Sequence, residues 1–94
     1  MIRSFRCVQT QAIFELRRSR RVPADIQQVA LRKLRMLNRS TTLADLRVPP
    51  ANRLEKLSGG RAGQWSIRIN DQWRICFRWV DGDALDVEIV DYHR

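Results

Sequence analysis

The chain has 94 residues, 44% of them hydrophobic and 30% charged, and its 18 lysines and arginines against 10 acids give a net charge of +8. That length supports one domain with one core, and no apolar run approaches the roughly 18 residues of a membrane span. The opening MIRSFRCVQT has no apolar stretch long enough for a secretory signal, so a cytoplasmic protein with no membrane partner is expected.

Residues 2–7, IRSFRC, alternate apolar and polar, and this predicts a short first strand. Val8, Ala12 and Leu16 then recur at four-residue spacing with Ile13 beside them, the pattern of a short helix. RRSRR at 17–21 is a basic connector. Pro23 suits the first turn of a second helix and Asp25 its positive end. Ile26, Val29, Ala30, Leu34 and Leu37 form an apolar stripe, with Arg32, Lys33 and Arg35 largely off it, and Asn38 is a reasonable stop. Each helix has one apolar face, so both are expected to pack on a sheet.

Residues 39–52 form the connection, with one helical turn at Leu43 and Leu46 ended by Pro49-Pro50. The second half reads as sheet. RLEKL at 53–57 alternates, and GGRAG at 59–63 is a flexible turn without the spacing of a phosphate-binding loop. Trp65, Ile67 and Ile69 share one face of the next strand, and Asn70-Asp71 signals a hairpin. Trp73, Ile75, Phe77 and Trp79 share one face of the strand after it; Arg74, Cys76 and Arg78 share the other. Asp81-Gly82 signals a second hairpin. In the last strand Leu85, Val87 and Ile89 point one way, Asp86 and Glu88 the other, and the chain runs on into DYHR. Helices followed by an antiparallel meander predict an α+β domain.

The charge is unevenly placed. Residues 1–47 carry the whole net +8, while residues 48–94 are neutral. Only Lys33 and Lys56 of the 18 cations are lysines. Arginine's planar fork matches phosphate and stacks on bases, so a polyanion, nucleic acid first, is the expected partner.

Few residues can do chemistry. Cys7 and Cys76 stand far apart, and with a single histidine the usual zinc sets cannot form. No metal and no cofactor are expected. What is left is a set of arginines on one sheet face, with Asp91, Tyr92 and His93 closing the last strand. Arg74 and Arg78 sit on the same side, within reach of a bound phosphate. This set suits metal-free RNA cleavage: histidine or tyrosine moves protons, arginine holds the phosphorane charge, and the RNA brings its own 2′-hydroxyl nucleophile. A solvated arginine face and a tail that covers the core edge are the plainer alternative.

QWSIRINDQWRICFRWVDGDALDVEIVDYH, residues 64–93, resembles the HigB toxins, the plasmid maintenance system killer group of the RelE/ParE superfamily. MIRSFR and NRLEKLSGGRAG (52–63) fit the same pattern, so the resemblance covers nearly the whole chain. It implies an N-terminal short strand and two helices packed on a small twisted antiparallel sheet, in a single domain over 1–94. It also implies a toxin that cleaves translated mRNA in the ribosomal A site and inhibits translation. The implied partners are the ribosome and its mRNA, and a neighbouring helix-turn-helix antitoxin of the HigA kind. Operator DNA would be met through the antitoxin complex.

The resemblance places Asp91, Tyr92 and His93 in an active-site concavity, with Arg74 binding phosphate. Many members read Leu-His-x-Leu-Lys-Gly where this chain reads Leu54-Glu55-Lys56-Leu57-Ser58-Gly59. Glu55 therefore stands where a histidine often does, and Ser58 where a lysine does. Lys56 is the nearest cation, but as a strand neighbour it points away from the face of Glu55. The expected catalytic set is His93, Tyr92, Asp91, Arg74 and Glu55. Lys56, Arg61, Arg68 and Arg78 are expected to bind RNA. Arg17, Arg18, Arg20, Arg21, Arg32, Lys33 and Arg35 are expected to dock on the ribosome. The competing expectations are a gyrase-directed toxin of the same fold and an inert antitoxin- and DNA-binding module.

Overall fold

The structure, a computed structural model, describes residues 1–92. His93, the expected proton carrier, lies outside the described residues. Two α-helices come first, α1 (Val8–Phe14) and α2 (Ala24–Arg39). Short 3-10 turns lead into four strands: β1 (Glu55–Lys56), β2 (Trp65–Arg68), β3 (Trp73–Val80) and β4 (Asp83–Asp91). The strands form one antiparallel sheet in the order β1-β2-β3-β4.

The expected α+β layering is present. The stripe of α2 turns Ile26, Ala30, Leu34 and Leu37 onto Ile67, Ile69, Ile75, Phe77, Val87 and Ile89 of the sheet. Leu34, Leu37, Ile75 and Phe77 are fully buried, each worth about 1.5–3 kcal/mol of apolar transfer. Pro23 caps α2 and Asp25 lies in its first turn, where the helix dipole favours an acid. Thr42 and Asp45 form a reciprocal capping box on the Leu43–Arg47 turn, which satisfies donors the turn leaves open.

The short first strand expected at residues 2–7 is not present. Residues 1–6 instead lie parallel to β4 and touch it through two isolated bridges, Ile2–Ala84 and Phe5–Val87. The physical reason is a bulge. Asp86 adopts φ +53°, and between Cys76 and Arg78 the β3–β4 register slips by one residue. The N-terminal segment bonds Ala84 on one side of the bulge and Val87 on the other, and Asp86 N–H is met by the Ser4 hydroxyl. An even two-residue ladder cannot run through that insertion.

The same bulge corrects the last strand. Leu85 pairs with Arg78 and Ala84 with Trp79, so Ala84, not Leu85, shares the core face with Val87 and Ile89. The helical spacing of Val8 and Leu16 also misleads. α1 stops at Phe14 and buries Thr10, Ala12 and Ile13, while Val8 and Leu16 are exposed. Of RLEKL only Glu55 and Lys56 are strand, because Arg53 turns the chain at φ +43°. Pro50 opens a second short turn rather than closing the first. The Asp81-Gly82 hairpin is as expected, with φ +50° and +83°, the pair of left-handed residues that suits a two-residue turn.

Candidate active site

Residues directly opposite one another on neighbouring strands share a face. On the face away from the helices this builds two rows. One is Glu55, Ser66, Cys76 and Glu88; the next is Arg68, Arg74 and Val90. The second row sets two guanidinium-bearing residues directly opposite each other, an arrangement that costs stability unless anions answer it.

Arg74 is held hard. It is 6% exposed. Its Nε donates to Ser66 Oγ at 2.8 Å and its Nη2 to the Arg53 carbonyl at 2.6 Å. The Tyr92 ring centroid lies 5.7 Å from the guanidinium carbon, a cation–π distance. Arg68 is paired with Asp71 in the hairpin. A cleft of about 470 Å³ opens between these groups, lined by Arg53, Arg68, Asn70, Asp71, Gln72, Arg74 and Tyr92. Asn70 Oδ1 accepts the N–H groups of Gln72 and Trp73, which fixes the β2–β3 hairpin at the cleft rim.

Tyr92 reaches this face because its N–H continues the ladder one residue past β4, donating to the Gln72 carbonyl at 2.7 Å. Asp91 falls in register with Trp73 on the opposite face, and its carboxylate accepts the Gln72 amide at 3.0 Å. Of the described terminal residues, Tyr92 lies beside Arg74, and Asp91 braces the hairpin through Gln72.

Glu55 stands one row from Arg74, opposite Ser66. Lys56 faces away with Trp65, its Nζ 6.0 Å from that ring. Arg61, from the Gly59–Arg61 turn, crosses to Glu88 at 2.8 Å. Arg78 is exposed beyond the bulge and does not line the cleft.

Burial pushes the Cys76 thiol above its ordinary value; Glu88 adds to this, while Arg61 and Arg74 oppose it. Cys76 is therefore a packed thiol rather than a thiolate nucleophile. Glu88 holds the Arg61 guanidinium even more firmly protonated than usual.

Of the expected docking residues, Arg17, Arg18, Arg20, Arg21, Arg32 and Arg35 are exposed. Lys33 is not. It is 6% exposed and its ammonium donates to Asn52 Oδ1. The α2 stripe is wider than the apolar pattern suggests, because a lysine stem packs as hydrocarbon when its head finds an acceptor.

Sequence reasoning missed Arg53, Asn70, Gln72 and Glu88 as site neighbours. The period-2 alternation of WSIRIN puts Ser66 beside Arg68 and could have found Ser66. Arg53 depends on a left-handed turn that no pattern marks.

Comparison with known proteins gives the family and the fold. The family model for HigB-like toxin, described as the RelE-like toxin of type II toxin-antitoxin system HigB, matches residues 3–93. Toxin HigB-1 of Vibrio cholerae serotype O1 is 44% identical over 78 residues, 83% of this chain and 81% of that protein. Endoribonuclease HigB of Proteus vulgaris is 34% identical over 94 residues, 99% of this chain and 100% of that one. Among solved structures, the YoeB-YefM complex from Staphylococcus aureus superposes with a TM-score of 0.56 at 16% identity, over 100% of this chain and 99% of that one. That likeness concerns the fold alone.

Proposed function

The chain belongs to the HigB-like toxins of type II toxin–antitoxin systems, and on that premise we propose that it is a metal-independent endoribonuclease that cuts translated mRNA in the ribosomal A site. The observation that carries the reading is the opposed pair Arg68 and Arg74 at a cleft closed by Tyr92. Arg74 gives a fixed guanidinium in the hollow, and Arg68, paired with Asp71, stands opposite it; a phosphodiester seated there would meet charge-assisted donors.

In this mechanism the 2′-hydroxyl of the RNA attacks the adjacent phosphorus and the 5′-oxygen leaves. Arg74, anchored by Ser66 and the Arg53 carbonyl, holds the charge that develops on the phosphorane. A fixed donor needs no reorganisation as that charge grows. Tyr92 and His93 move the two protons, and Glu55 stands on the same face one row away. Asp91 fixes the hairpin through Gln72.

The chain would work in the cytoplasm, with the exposed arginines at 17–21 and at 32 and 35 against ribosomal RNA. As a type II toxin it has a cognate antitoxin; we propose a helix-turn-helix protein of the HigA kind, which carries the complex to operator DNA.

The test is primer extension on an mRNA in a reconstituted translation reaction, with and without ribosomes. Codon-phased cuts that need ribosomes, and that fall at least a hundredfold with Arg74→Ala and with His93→Ala, are the expected result. No cleavage by the wild-type chain sinks the nuclease reading. Cleavage unchanged in His93→Ala would move the proton transfers to Tyr92 and Glu55.

A further inference from the structure

Glu88 is a carboxylate on the face that the proposed function assigns to RNA. A negative charge there should repel the substrate, and nothing in the catalytic scheme uses it. Its side chain is only 17% exposed, so its desolvation needs an answer. The answer comes from Arg61, whose Nη1 donates to Glu88 Oε1 at 2.8 Å and to Gln64 Oε1 at 3.1 Å.

The path of that arginine is informative. Arg61 rides on the glycine-rich turn between β1 and β2, with Gly59 at φ +63° and Gly63 at φ +90°. Glu88 stands on β4, at the far end of the row that runs Glu55, Ser66, Cys76, Glu88. The Arg61 side chain therefore crosses the sheet over buried Cys76 to meet it. A cation on a glycine-rich turn has little of its own to fix it. Here two acceptors fix it, one on its own turn and one across the sheet. The result is a third guanidinium held above the face that carries Arg68, Arg74 and Tyr92.

We propose that Glu88 is a positioning residue for RNA cleavage: it holds Arg61 over the active face, where that guanidinium takes a phosphate of the bound strand. The inference rests on the RNA reading of this face. A guanidinium has five N–H donors, and the contacts to Glu88 and Gln64 both fall on Nη1, which leaves the Nε and Nη2 edge for a phosphate. Arg61 can thus stay on Glu88 and donate to phosphate at the same time. The carboxylate contributes orientation, and the arginine contributes the contact.

A double-mutant cycle tests this. Arg61→Ala, Glu88→Gln and the pair are compared with wild type by single-turnover cleavage of ribosome-bound mRNA. Binding to ribosomes carrying a non-cleavable 2′-O-methyl mRNA is measured alongside, with each variant's thermal midpoint. If Glu88 acts through Arg61, each single change lowers the cleavage rate about tenfold. Glu88→Gln then adds nothing in the Arg61→Ala background. Arg61→Lys should restore part of the loss. A merely structural role would lower the thermal midpoint and leave the rate per folded molecule unchanged, which overturns the proposal. Independent, multiplying losses overturn it too. So does faster cleavage or tighter binding by Glu88→Gln, which would mean that the carboxylate competes with RNA for Arg61. If wild type binds ribosomes but cuts nothing, the nuclease reading fails by itself. The same non-additive loss in the 2′-O-methyl binding arm would still support Glu88 as the residue that positions Arg61, and additive binding losses would overturn it.

Discussion

Asn52 has no exposed surface, yet it is polar, and its amide is spent in full. Its Oδ1 accepts the buried Lys33 ammonium, and its Nδ2 donates to the Leu46 and Val48 carbonyls. Burial, helped by the neighbouring Arg32, lowers the Lys33 pKa, so the charged lysine depends on this acceptor. Asn52→Ala should therefore destabilise the chain by about 2–4 kcal/mol, read from urea unfolding. Asn52 also precedes Arg53, whose carbonyl holds Arg74, so the same substitution should slow cleavage. At the N-terminus, the hydrogen bond from Arg3 and the terminal amine hold the Asp83 carboxyl below its ordinary value. A depressed carboxyl adds stability above its unfolded pKa of about 3.9, and loses it as pH falls through the lower folded value. Asp83→Asn should be less stable than wild type at neutral pH, and the gap should close at the acid end of a denaturation series.

β4 is where an element departs most from its pattern. ALDVEIV alternates cleanly, and clean alternation predicts Leu85, Val87 and Ile89 on one face. One left-handed residue at Asp86 resets the phase. A bulge changes no residue type, so no periodicity reports it; here it puts Ala84 rather than Leu85 into the core. Aspartate tolerates that conformation, glycine adopts it freely and β-branched residues resist it. Asp86→Gly should be neutral or slightly stabilising, while Asp86→Val should cost about 1–3 kcal/mol in chemical denaturation. If both behave alike, the bulge is not what sets the register. The central strands were legible for the opposite reason: Trp65 to Ile69 and Trp73 to Trp79 keep strict alternation because the β2–β3 ladder is regular and the bulge puts its extra residue in β4, not in β3. Arg74 was legible with them. Tyr92 was legible as a terminal residue, but its separation from Asp91 needed the register.

For the molecule as a whole, the uneven charge is the larger fact. The basic half supplies the helices and the RRSRR connector, and the neutral half supplies the sheet with the cleft. On the proposed reading, affinity and chemistry are carried by different parts of the chain. Contacts to phosphate release counterions, so affinity should fall steeply between about 50 and 200 mM salt. Replacing Arg17, Arg18, Arg20 and Arg21 together with serine should flatten that salt dependence while leaving the single-turnover rate at saturation near wild type. Filter binding to ribosomes across a salt series checks the first part, and saturating cleavage the second. Lys33 limits how far such reasoning goes from sequence, since a cation in a basic helix can be part of the core.

The two borders of the sheet are both short of open hydrogen-bonding length. β1 is two residues long. Along β4 the N-terminal segment occupies one half, and the Thr10 hydroxyl meets the Ile89 N–H in the other. Unpaired strand borders recruit other chains and seed aggregates. A toxin must survive as a free, folded molecule from the moment its inhibitor is lost until it finds a target, and these closed borders suit that interval. They also leave little open ladder for any other chain to extend by lending a strand.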